Sequence, residues 1–385
     1  MLKSFKAEIQ PTEEQASIIN RTIGTCRFVY NFYISHNKEL YETNQPFMSG
    51  KDFSLWLNNV FLPANPGYSW IKSVSSKSVK KSMEDACAAF RKFFQKQTES
   101  PRFKKKGKSD PKMYFVKNNP NDCLCERHRV KIPTLGWVRL KEKGYLPCSS
   151  SGIQIRSGTV SLKAGRYYVS VLAEIPDEKS TSGTSPPIGV DLGLKSLAVM
   201  SNGIIIQNVN KEPRVRKLEK KLKREQRRLS RKYEVLKNGG KSDRKNLEKQ
   251  KLKVKKIHHM LKCIRTDHVN KAVHETVKTK PSHITIEDLN VSGMLKNRHL
   301  SKAIAAQKFF EFRLKLAMKC RENGIELRIA DRFYPSSKTC HTCGNVKHDL
   351  KLSDRVYCCP VCGCETDRDY NASLNLRDTT QYRLA

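Results

Sequence analysis

The chain has 385 residues, enough for two or three domains with a sizeable core, and 74 Lys and Arg face 37 Asp and Glu. The formal net charge of +37 opposes compact folding of an isolated protein, so we expect nucleic acid as the neutralising partner. No apolar stretch reaches about 18 residues and the N-terminus lacks a signal-peptide core, so we expect no membrane span and a cytoplasmic, nucleoid-associated protein. A ribosomal or nucleoid-type protein that only coats nucleic acid would share this composition.

The first hundred residues predict one strand followed by a small helical domain. Residues 3–9 alternate between apolar and polar side chains, which is typical of a strand. Thr12 with Gln15 three residues later forms the capping-box pattern that starts a helix. A second amphipathic helix is predicted over residues 77–97.

A basic run and several short strands come next. The run from Arg102 to Lys108 could be a solvated loop, but in a chain of this charge we interpret it as a set of phosphate contacts. The residues assigned to these contacts are Arg102, Lys104, Lys105, Lys106 and Lys108. Short strands with turn signals between them then predict a barrel or small sandwich. They cover residues 129–133, 137–140, 152–156, 159–163 and 166–173. A linker is predicted over residues 176–187, which are rich in Ser, Thr, Gly and Pro.

Two helical features are predicted in the second half. Residues 211–262 are strongly basic and are interrupted at Asn238-Gly239-Gly240, which predicts two helices joined by a turn. Lys and Arg outnumber the acids there so far that pairing along the helix cannot neutralise them, which favours a hairpin lying along a nucleic-acid backbone. A long amphipathic helix over about 301–322 is predicted to end at Gly324.

Three acidic positions stand at the ends of predicted elements. Asp191 ends a buried strand, Glu287 ends a β-branched strand with Asp288 facing the other way, and Asp369 lies at the start of the last helix. Singly, each has an ordinary explanation, as a turn residue, a solvated strand end or a helix cap. In this order they match an RNase H-like fold, where such carboxylates converge at one end of a sheet. There they hold two Mg²⁺ ions ~4 Å apart around a scissile phosphate.

Thirteen cysteines in a reducing compartment indicate something other than disulfides. Two Cys-x-x-Cys-Gly turns have zinc-ribbon spacing, and a site of four thiolates is closed, so the zinc would be structural. The predicted ligands are Cys340, Cys343, Cys359 and Cys362. His341, Cys358 and Cys364 are neighbours that could compete. Scattered cysteines are predicted to be small buried residues; they are Cys26, Cys87, Cys263 and Cys320.

The motifs GVDLGLKSLAV, ITIEDLN and SSKTCHTCG…YCCPVCG…DRDYNAS resemble the TnpB family of nucleases encoded by bacterial insertion sequences. FKAEIQPTEEQ, PRFKKKG and VKIPTLGWVRL extend the resemblance over nearly the whole chain. It implies a catalytic triad of Asp191, Glu287 and Asp369, the second acid of the DRD motif rather than Asp367, and zinc on the same four cysteines. It also implies a guide RNA from the transposon end, which pairs with one strand of a double-stranded DNA target beside a short motif.

The fold implied by this resemblance is an α/β RNase H-like (RuvC) nuclease domain with an inserted zinc ribbon. An N-terminal β-barrel wedge domain, like an oligonucleotide-binding fold, carries a helical recognition insert. The predicted boundaries are 1–10 and 100–180 for the wedge, 11–99 for the insert, 186–336 and 365–385 for the nuclease domain, 211–262 for its basic hairpin and 337–364 for the ribbon. We expect a monomer.

Two departures from the family pattern and three alternatives remain. Ser373 stands where the family usually has alanine, and only nine residues follow Leu376. A guide-dependent repressor of the same lineage would bind DNA without cutting it, but such a protein should have lost acids of the triad. A DDE transposase shares the RNase H fold but lacks the ribbon and the DRD motif. For a plain zinc-ribbon RNA-binding protein, three well-placed acids would be a coincidence.

Overall fold

The structure is a computed structural model that describes residues 1–119, 121–149, 152–176, 183–239, 243–351 and 353–385. It divides into two compact units, Met1–Asp177 and Glu178–Ala385. Half of the predicted linker, residues 177–182, and Gly240 of the predicted hairpin turn lie outside the described residues. None of the described helices is long and apolar enough to cross a membrane.

The first unit combines a six-stranded sheet with a group of helices. Its elements are β1 (Leu2–Gln10), α1 (Glu13–Glu42), α2 (Gly50–Trp56), α3 (Leu62–Ala64), α4 (Ser76–Phe94), β2 (Lys112–Val116), β3 (Arg129–Ile132), β4 (Gly136–Leu140), β5 (Gln154–Lys163) and β6 (Arg166–Glu174). The strands pair antiparallel in the order β2-β5-β6-β1-β4-β3. Apolar side chains from all six strands meet in one core.

The start of α1 follows the predicted capping box. Thr12 Oγ1 accepts from Gln15 N at 3.2 Å, and Gln15 Oε1 accepts from Thr12 N at 3.0 Å, so both predicted bonds are present. Further along, α1 packs with α2 and α4 around a second core, which includes the fully buried Tyr33 and Phe53. The helical domain therefore has a hydrophobic core of its own.

The predicted division of residues 152–163 into two strands is wrong. Gln154–Lys163 is one continuous strand with an irregular register near Ile155 and Ser157. Gly158 suggested a turn, but it is a close-packing position: a Cβ there would lie 2.3 Å from Cζ of Phe115. Phe115 belongs to β2, a strand that the pattern did not predict.

The second unit carries all the predicted acids and the cysteine cluster. Its elements are β7 (Ile188–Leu192), β8 (Ser196–Met200), β9 (Ile205–Gln207), α5 (Pro213–Lys237), α6 (Arg244–Val277), β10 (His283–Ile286), α7 (Val291–Met294), α8 (Ser301–Gln307), α9 (Phe309–Asn323), β11 (Glu326–Ala330), β12 (Val356–Cys358), β13 (Glu365–Asp367), α10 (Arg368–Asp378) and β14 (Tyr382–Leu384). The main sheet has the order β14-β11-β10-β7-β8-β9.

The direction of the strands in this sheet is that of the RNase H fold. β7, β8 and β9 form an antiparallel meander, and β10 and β11 continue the sheet parallel to β7. α6, α8 and α9 contribute to the core of the sheet. β14 pairs antiparallel with β11, so the short tail after the last helix forms an edge strand that the sequence pattern did not predict.

α10 packs closely on β7, and Gly189 makes this approach possible. A Cβ at Gly189 would lie 2.0 Å from the carbonyl oxygen of Ser373 and 2.4 Å from the amide nitrogen of Arg377. Ser373 itself is fully buried and donates its hydroxyl to Tyr370 O at 2.7 Å, so the polar atom that replaces the usual alanine has a partner. Backbone contact thus fixes α10 against the strand that carries Asp191.

The structure differs from the sequence prediction at two helices and at one cysteine. α6 continues past residue 262 to Val277, because its last turns supply core side chains such as Val273. The helix predicted over 301–322 is interrupted at Lys308, whose φ of 60° is left-handed; the preceding Gln307 is buried and donates to Gly193 O at 2.9 Å. Cys263 is exposed and lies 3.6 Å from a ring nitrogen of His259.

Candidate active site and metal centre

The three predicted acids come from three separate elements of the second unit. Asp191 lies on β7, Glu287 directly follows β10, and Asp369 lies in the first turn of α10. β7 and β10 are adjacent parallel strands, and Val190 pairs with Ile286. The residues after that pair, Asp191 and Glu287, therefore stand opposite each other at one edge of the sheet.

The charges of these acids act on one another. Burial raises the pKa of Asp191 well above its usual value, and the carboxylates of Glu287 and Asp369 raise it further. Burial also raises the pKa of Glu287, and the charge of Asp369 adds to this effect. The side chains of Asp191 and Glu287 are close enough for each to affect the pKa of the other. The cluster therefore carries more negative charge than its own surroundings neutralise.

Two polar side chains hold the acids in place. Ser336 Oγ donates to Glu287 Oε1 at 2.9 Å, and an Arg368 guanidinium nitrogen donates to Asp369 Oδ1 at 3.0 Å. The positive charge of Arg368 also lowers the pKa values of Asp191 and Glu287. The sequence reading overlooked both residues. Ser336 lies in the SSKTC motif, and Arg368 lies between the two acids of DRD. Their positions within these motifs could have indicated that they contribute to the site.

Asp288 has a different environment from its neighbour Glu287. Its carboxylate lies 3.0 Å from Arg313, 2.8 Å from Arg332 and 3.1 Å from Arg383, and the side chain is largely buried. Burial works to raise its pKa, but the three guanidinium groups outweigh that effect and lower it. Asp288 thus ties α9 and β14 to the end of β10 and faces away from the acidic cluster, as the strand phase predicted.

The acidic cluster fits a hard divalent cation. Its donors are carboxylate oxygens, the ligands that Mg²⁺ prefers, and a few suffice because Mg²⁺ keeps several waters. Burial first, and then the neighbouring negative charge of Asp369, disfavours the ionised forms of Asp191 and Glu287 and raises the pKa values of both groups. A cation would offset that negative charge, so Asp191, Glu287 and Asp369 are the residues that would hold it.

Asp191→Asn is expected to stabilise the magnesium-free protein at neutral pH. Asp191 and Glu287 bind protons more tightly in the folded chain than in the unfolded chain, where their pKa values are ~4. Folding stability is therefore lost as the pH rises from ~4 through the raised folded pKa values. Removing one charge should raise the melting temperature of the zinc-loaded chain without added Mg²⁺, by about 2–4 °C for each 1 kcal/mol relieved. The gain should be larger at pH 8 than at pH 5; a lower melting temperature at both would contradict the repulsion.

The four predicted cysteines come together in the structure. Their sulfur atoms all lie within 4.8 Å of one another, and the cross-turn pairs Cys340–Cys362 and Cys343–Cys359 are each 3.6 Å apart. Sulfur atoms at 2.3 Å from a tetrahedral ion would be ~3.8 Å apart, so the geometry fits Zn²⁺ closely. Within the described residues, no other group of three or more Cys, His, Asp or Glu has its ligand atoms so close together, and the three acids lie farther apart than the four sulfur atoms.

Two similar turns shape the cysteine cluster. In the first turn Gly344 N donates to Cys340 O at 2.9 Å, and in the second Gly363 N donates to Cys359 O at 3.1 Å. Both glycines have φ near +70°, which other residues rarely adopt. Backbone N–H groups, first that of Cys362, point at the Cys359 sulfur and lower the pKa of this thiol to about 6. That thiol is therefore prepared to bind metal as a thiolate.

The three neighbouring residues lie outside this cluster. The sulfur of Cys364 accepts from Thr342 Oγ1 at 3.3 Å, and His341 Nδ1 lies 3.7 Å from Asp378. Cys358 is exposed on the short strand β12. The metal-ligand geometry therefore selects the four residues that the turn spacing selected.

The basic run splits into two kinds of residue. Lys105, Lys106 and Lys108 are exposed. Arg102 is also exposed but is paired with Glu99, and Lys104 is half-buried with its Nζ 3.6 Å from the ring centre of Tyr30. A second basic surface lies on one face of α5, where six exposed cationic side chains are adjacent. They are Lys220, Lys223, Arg224, Arg227, Arg228 and Arg231.

Three parts of the chain match known families. Residues 1–46 match a family described as "Helix-turn-helix domain", although the region here is a strand followed by one long helix. Residues 170–298 match one described as "Probable transposase", and residues 309–376 match "Cas12f1-like, TNB domain". The last region contains the four cysteines and Asp369.

Similar proteins cover nearly the whole chain. A "Putative RNA-guided DNA endonuclease" of Streptomyces pristinaespiralis is 32% identical over 97% of this chain and 88% of its own. "Putative RNA-guided DNA endonuclease InsQ" of Escherichia coli K12 is 29% identical over 97% of this chain and 91% of its own. Among solved structures, the "Cas12f1-sgRNA-target DNA complex" aligns with 100% of this chain and 99% of its own, with a TM-score of 0.51 and 14% identity, which shows a shared fold.

The sheet order, the acids near one end of the central strands and the four-cysteine ribbon before the last helix define an RNase H-like protein with a ribbon whose four cysteines could hold a metal ion. The identity to the Streptomyces protein extends this class assignment to a family. The chain belongs to the TnpB/OrfB family.

Proposed function

We propose that the chain is an RNA-guided DNA endonuclease encoded by a transposable element, and that it hydrolyses phosphodiester bonds of double-stranded DNA. Asp191, Glu287 and Asp369 are the proposed catalytic acids. The observation that carries the proposal is their approach at one edge of the sheet, from positions almost 180 residues apart in sequence. The family relatives named as endonucleases guided by RNA support the same activity.

The three acids provide the negative site around which hydrolysis is organised. Bound there, Mg²⁺ would lower the pKa of an attacking water and stabilise the leaving 3′ oxygen. Arg368 fixes the Asp369 carboxylate through a hydrogen bond. The pairing of the parallel strands β7 and β10 positions Asp191 and Glu287. Zn²⁺ on the four cysteines has a separate, structural role because four thiolates leave no open position.

Specificity is proposed to come from base pairing by a guide RNA transcribed from the transposon end. The protein would read a short motif beside the target and the shape of the RNA–DNA duplex. Two exposed basic surfaces are suited to contact phosphates: the one formed by Lys105, Lys106 and Lys108, and the one on α5. A charge of +37 supports a long polyanionic partner of this kind.

The two units are proposed to divide these tasks. The sheet of the first unit would be the wedge, predicted over 1–10 and 100–180, and its helices the recognition insert of 11–99. In the second unit, 186–336 and 365–385 would form the nuclease domain, with the basic hairpin at 211–262 and the ribbon at 337–364. The shared core of all six strands in the first unit supports a barrel-like wedge.

A plasmid-cleavage assay tests the proposed function. The chain is co-expressed with its flanking DNA, the presumed guide is reprogrammed, and a target beside a randomised flank is supplied with Mg²⁺. Cleavage that follows the guide sequence is the expected result. Binding of the target without cleavage would support a repressor instead, and the absence of guide-dependent binding would refute the RNA-guided assignment.

Replacing Lys105, Lys106 and Lys108 together by glutamine is expected to weaken nucleic-acid binding through lost phosphate contacts. The slope of log K against log salt should fall in magnitude by about 2–3 for the guide RNA or the target DNA, at ~0.7–0.9 per contact. Lys104→Gln is the control, because Lys104 packs on Tyr30 and should affect stability more than this slope. If the triple variant has unchanged slopes for both nucleic acids, these three lysines do not contact the phosphates of either one.

A further inference from the structure

The hydroxyl group of one serine, Ser336, connects the segment just before the ribbon to the acidic cluster. Ser336 is 4% exposed, and its Oγ donates to Glu287 Oε1 at 2.9 Å. A carboxylate has two oxygens and can rotate, so a fixed donor on one oxygen selects the orientation in which the other is presented. Glu287 follows the last residue of β10 and is therefore less constrained than Asp191, which lies within β7.

Ser336 is itself held by the last helix. Asn375 Nδ2 donates to Ser336 O at 2.7 Å and to Thr339 O at 2.7 Å, and Asn371 Nδ2 donates to Thr339 O at 2.6 Å. Asn371 is 1% exposed and Asn375 is 5% exposed. Two buried amides on α10 thus fasten the turn at 335–339, which carries the hydroxyl that contacts Glu287.

We infer that Ser336 is a positioning residue for metal binding by Glu287, and that α10 places two of the three acids. Asp369 is placed directly, because it lies in the first turn of α10. Glu287 is placed indirectly, through Asn375 and Ser336. The inference rests on the proposed function, since it assigns Ser336 a role in the metal site of that nuclease.

Groups that hydrogen bond to a metal ligand orient it, and their loss typically costs 10–100-fold in metal affinity or activity. Ser336→Ala should therefore raise the Mg²⁺ concentration for half-maximal target cleavage by roughly 10- to 100-fold. The Mn²⁺ or Mg²⁺ concentration that half-saturates the rise in melting temperature of the full-length, zinc-loaded chain should increase by a similar factor. This second measurement needs neither guide RNA nor DNA.

Ser337→Ala is the matched control, because it removes the same hydroxyl from the adjacent, half-buried residue. It should behave as the wild type does, and Ser336→Thr, which keeps a hydroxyl, should recover much of the metal affinity. Zinc content and the melting temperature without added Mg²⁺ or Mn²⁺ should be alike in Ser336→Ala and Ser337→Ala.

Equal metal midpoints for Ser336→Ala and the wild type would overturn the inference. So would loss of zinc or a collapsed melting temperature in Ser336→Ala, since Ser336 would then serve folding alone. If the wild type cuts no target but Ser336→Ala still shifts the midpoint of thermal stabilisation by metal, the proposed function fails and the positioning role stands. If the wild type cuts the target and Ser336→Ala has the same metal midpoint as the wild type, the proposed function stands and the positioning role of Ser336 fails.

Discussion

Asp191→Ala should lower target cleavage by about three powers of ten, because a bound metal ion supplies several kcal/mol and 1.36 kcal/mol is tenfold in rate. Asp191 stands opposite Glu287 and is affected by the charge of Asp369, so its removal leaves too few ligands at the centre of the cluster. Binding of guide RNA and target DNA should be unchanged, because the substitution removes no basic surface. Rates are measured in single-turnover cleavage and binding by filter retention.

Asp367→Asn is the matched control for the acid of the last helix. Asp367 is the N-cap of α10 and accepts from the backbone N–H groups of Asp369 and Tyr370. Asparagine can keep this cap, so Asp367→Asn should cut near the wild-type rate, whereas Asp369→Ala should be as defective as Asp191→Ala. Cleavage by Asp191→Ala near the wild-type rate, or its failure to bind RNA, would contradict the assignment of the cluster.

The approach of the three acids follows from features that a sequence displays. Asp191 lies near the carboxyl end of β7, Glu287 directly follows β10, and Asp369 lies at the start of a helix; the carboxyl ends of adjacent parallel strands meet at one edge of the sheet. The same holds for the cysteines, since each Cys-x-x-Cys-Gly turn places two thiols on one side. Local geometry and strand direction favour these meetings, but the choice of the three acids, and of Asp369 over Asp367, came from the order expected of an RNase H-like fold and from the family resemblance.

The remaining features depend on contacts between distant segments. Ser336 reaches Glu287 across 49 positions, and nothing in either segment indicates the partner. The sequence around Gly158 was interpreted as a break between two strands. In the structure the glycine lies within one strand, where it leaves room for the ring of Phe115 on another strand. The helix is interrupted at Lys308, next to Gln307, whose buried side chain donates to Gly193 O. The spacing of apolar residues along the helix does not indicate this contact. Periodicity describes one element at a time, so tertiary contacts of this kind escape it.

Cys343→Ser should remove zinc and unfold the ribbon. Among the described residues of the ribbon, the buried core members are Cys340, Tyr357 and Cys359, and two of these are proposed metal ligands. So small a core cannot offset the conformational entropy of the segment without its metal, and structural zinc contributes about 10–16 kcal/mol of apparent binding energy in small fingers. Zinc per chain, measured by mass spectrometry, should fall from one to near zero.

The loss should extend to catalysis because the ribbon adjoins the positioned acids. Its first residues anchor to α10, where His341 N donates to Asn371 Oδ1 at 3.0 Å. Unfolding the ribbon would release this anchor and the turn that holds Ser336, so cleavage should fall although Asp191 and Glu287 are intact. Cys358→Ser is the matched control, since Cys358 is an exposed neighbour outside the cluster. Full zinc content and cleavage in Cys343→Ser, or equal loss in Cys358→Ser, would show that these four thiols do not form the metal site.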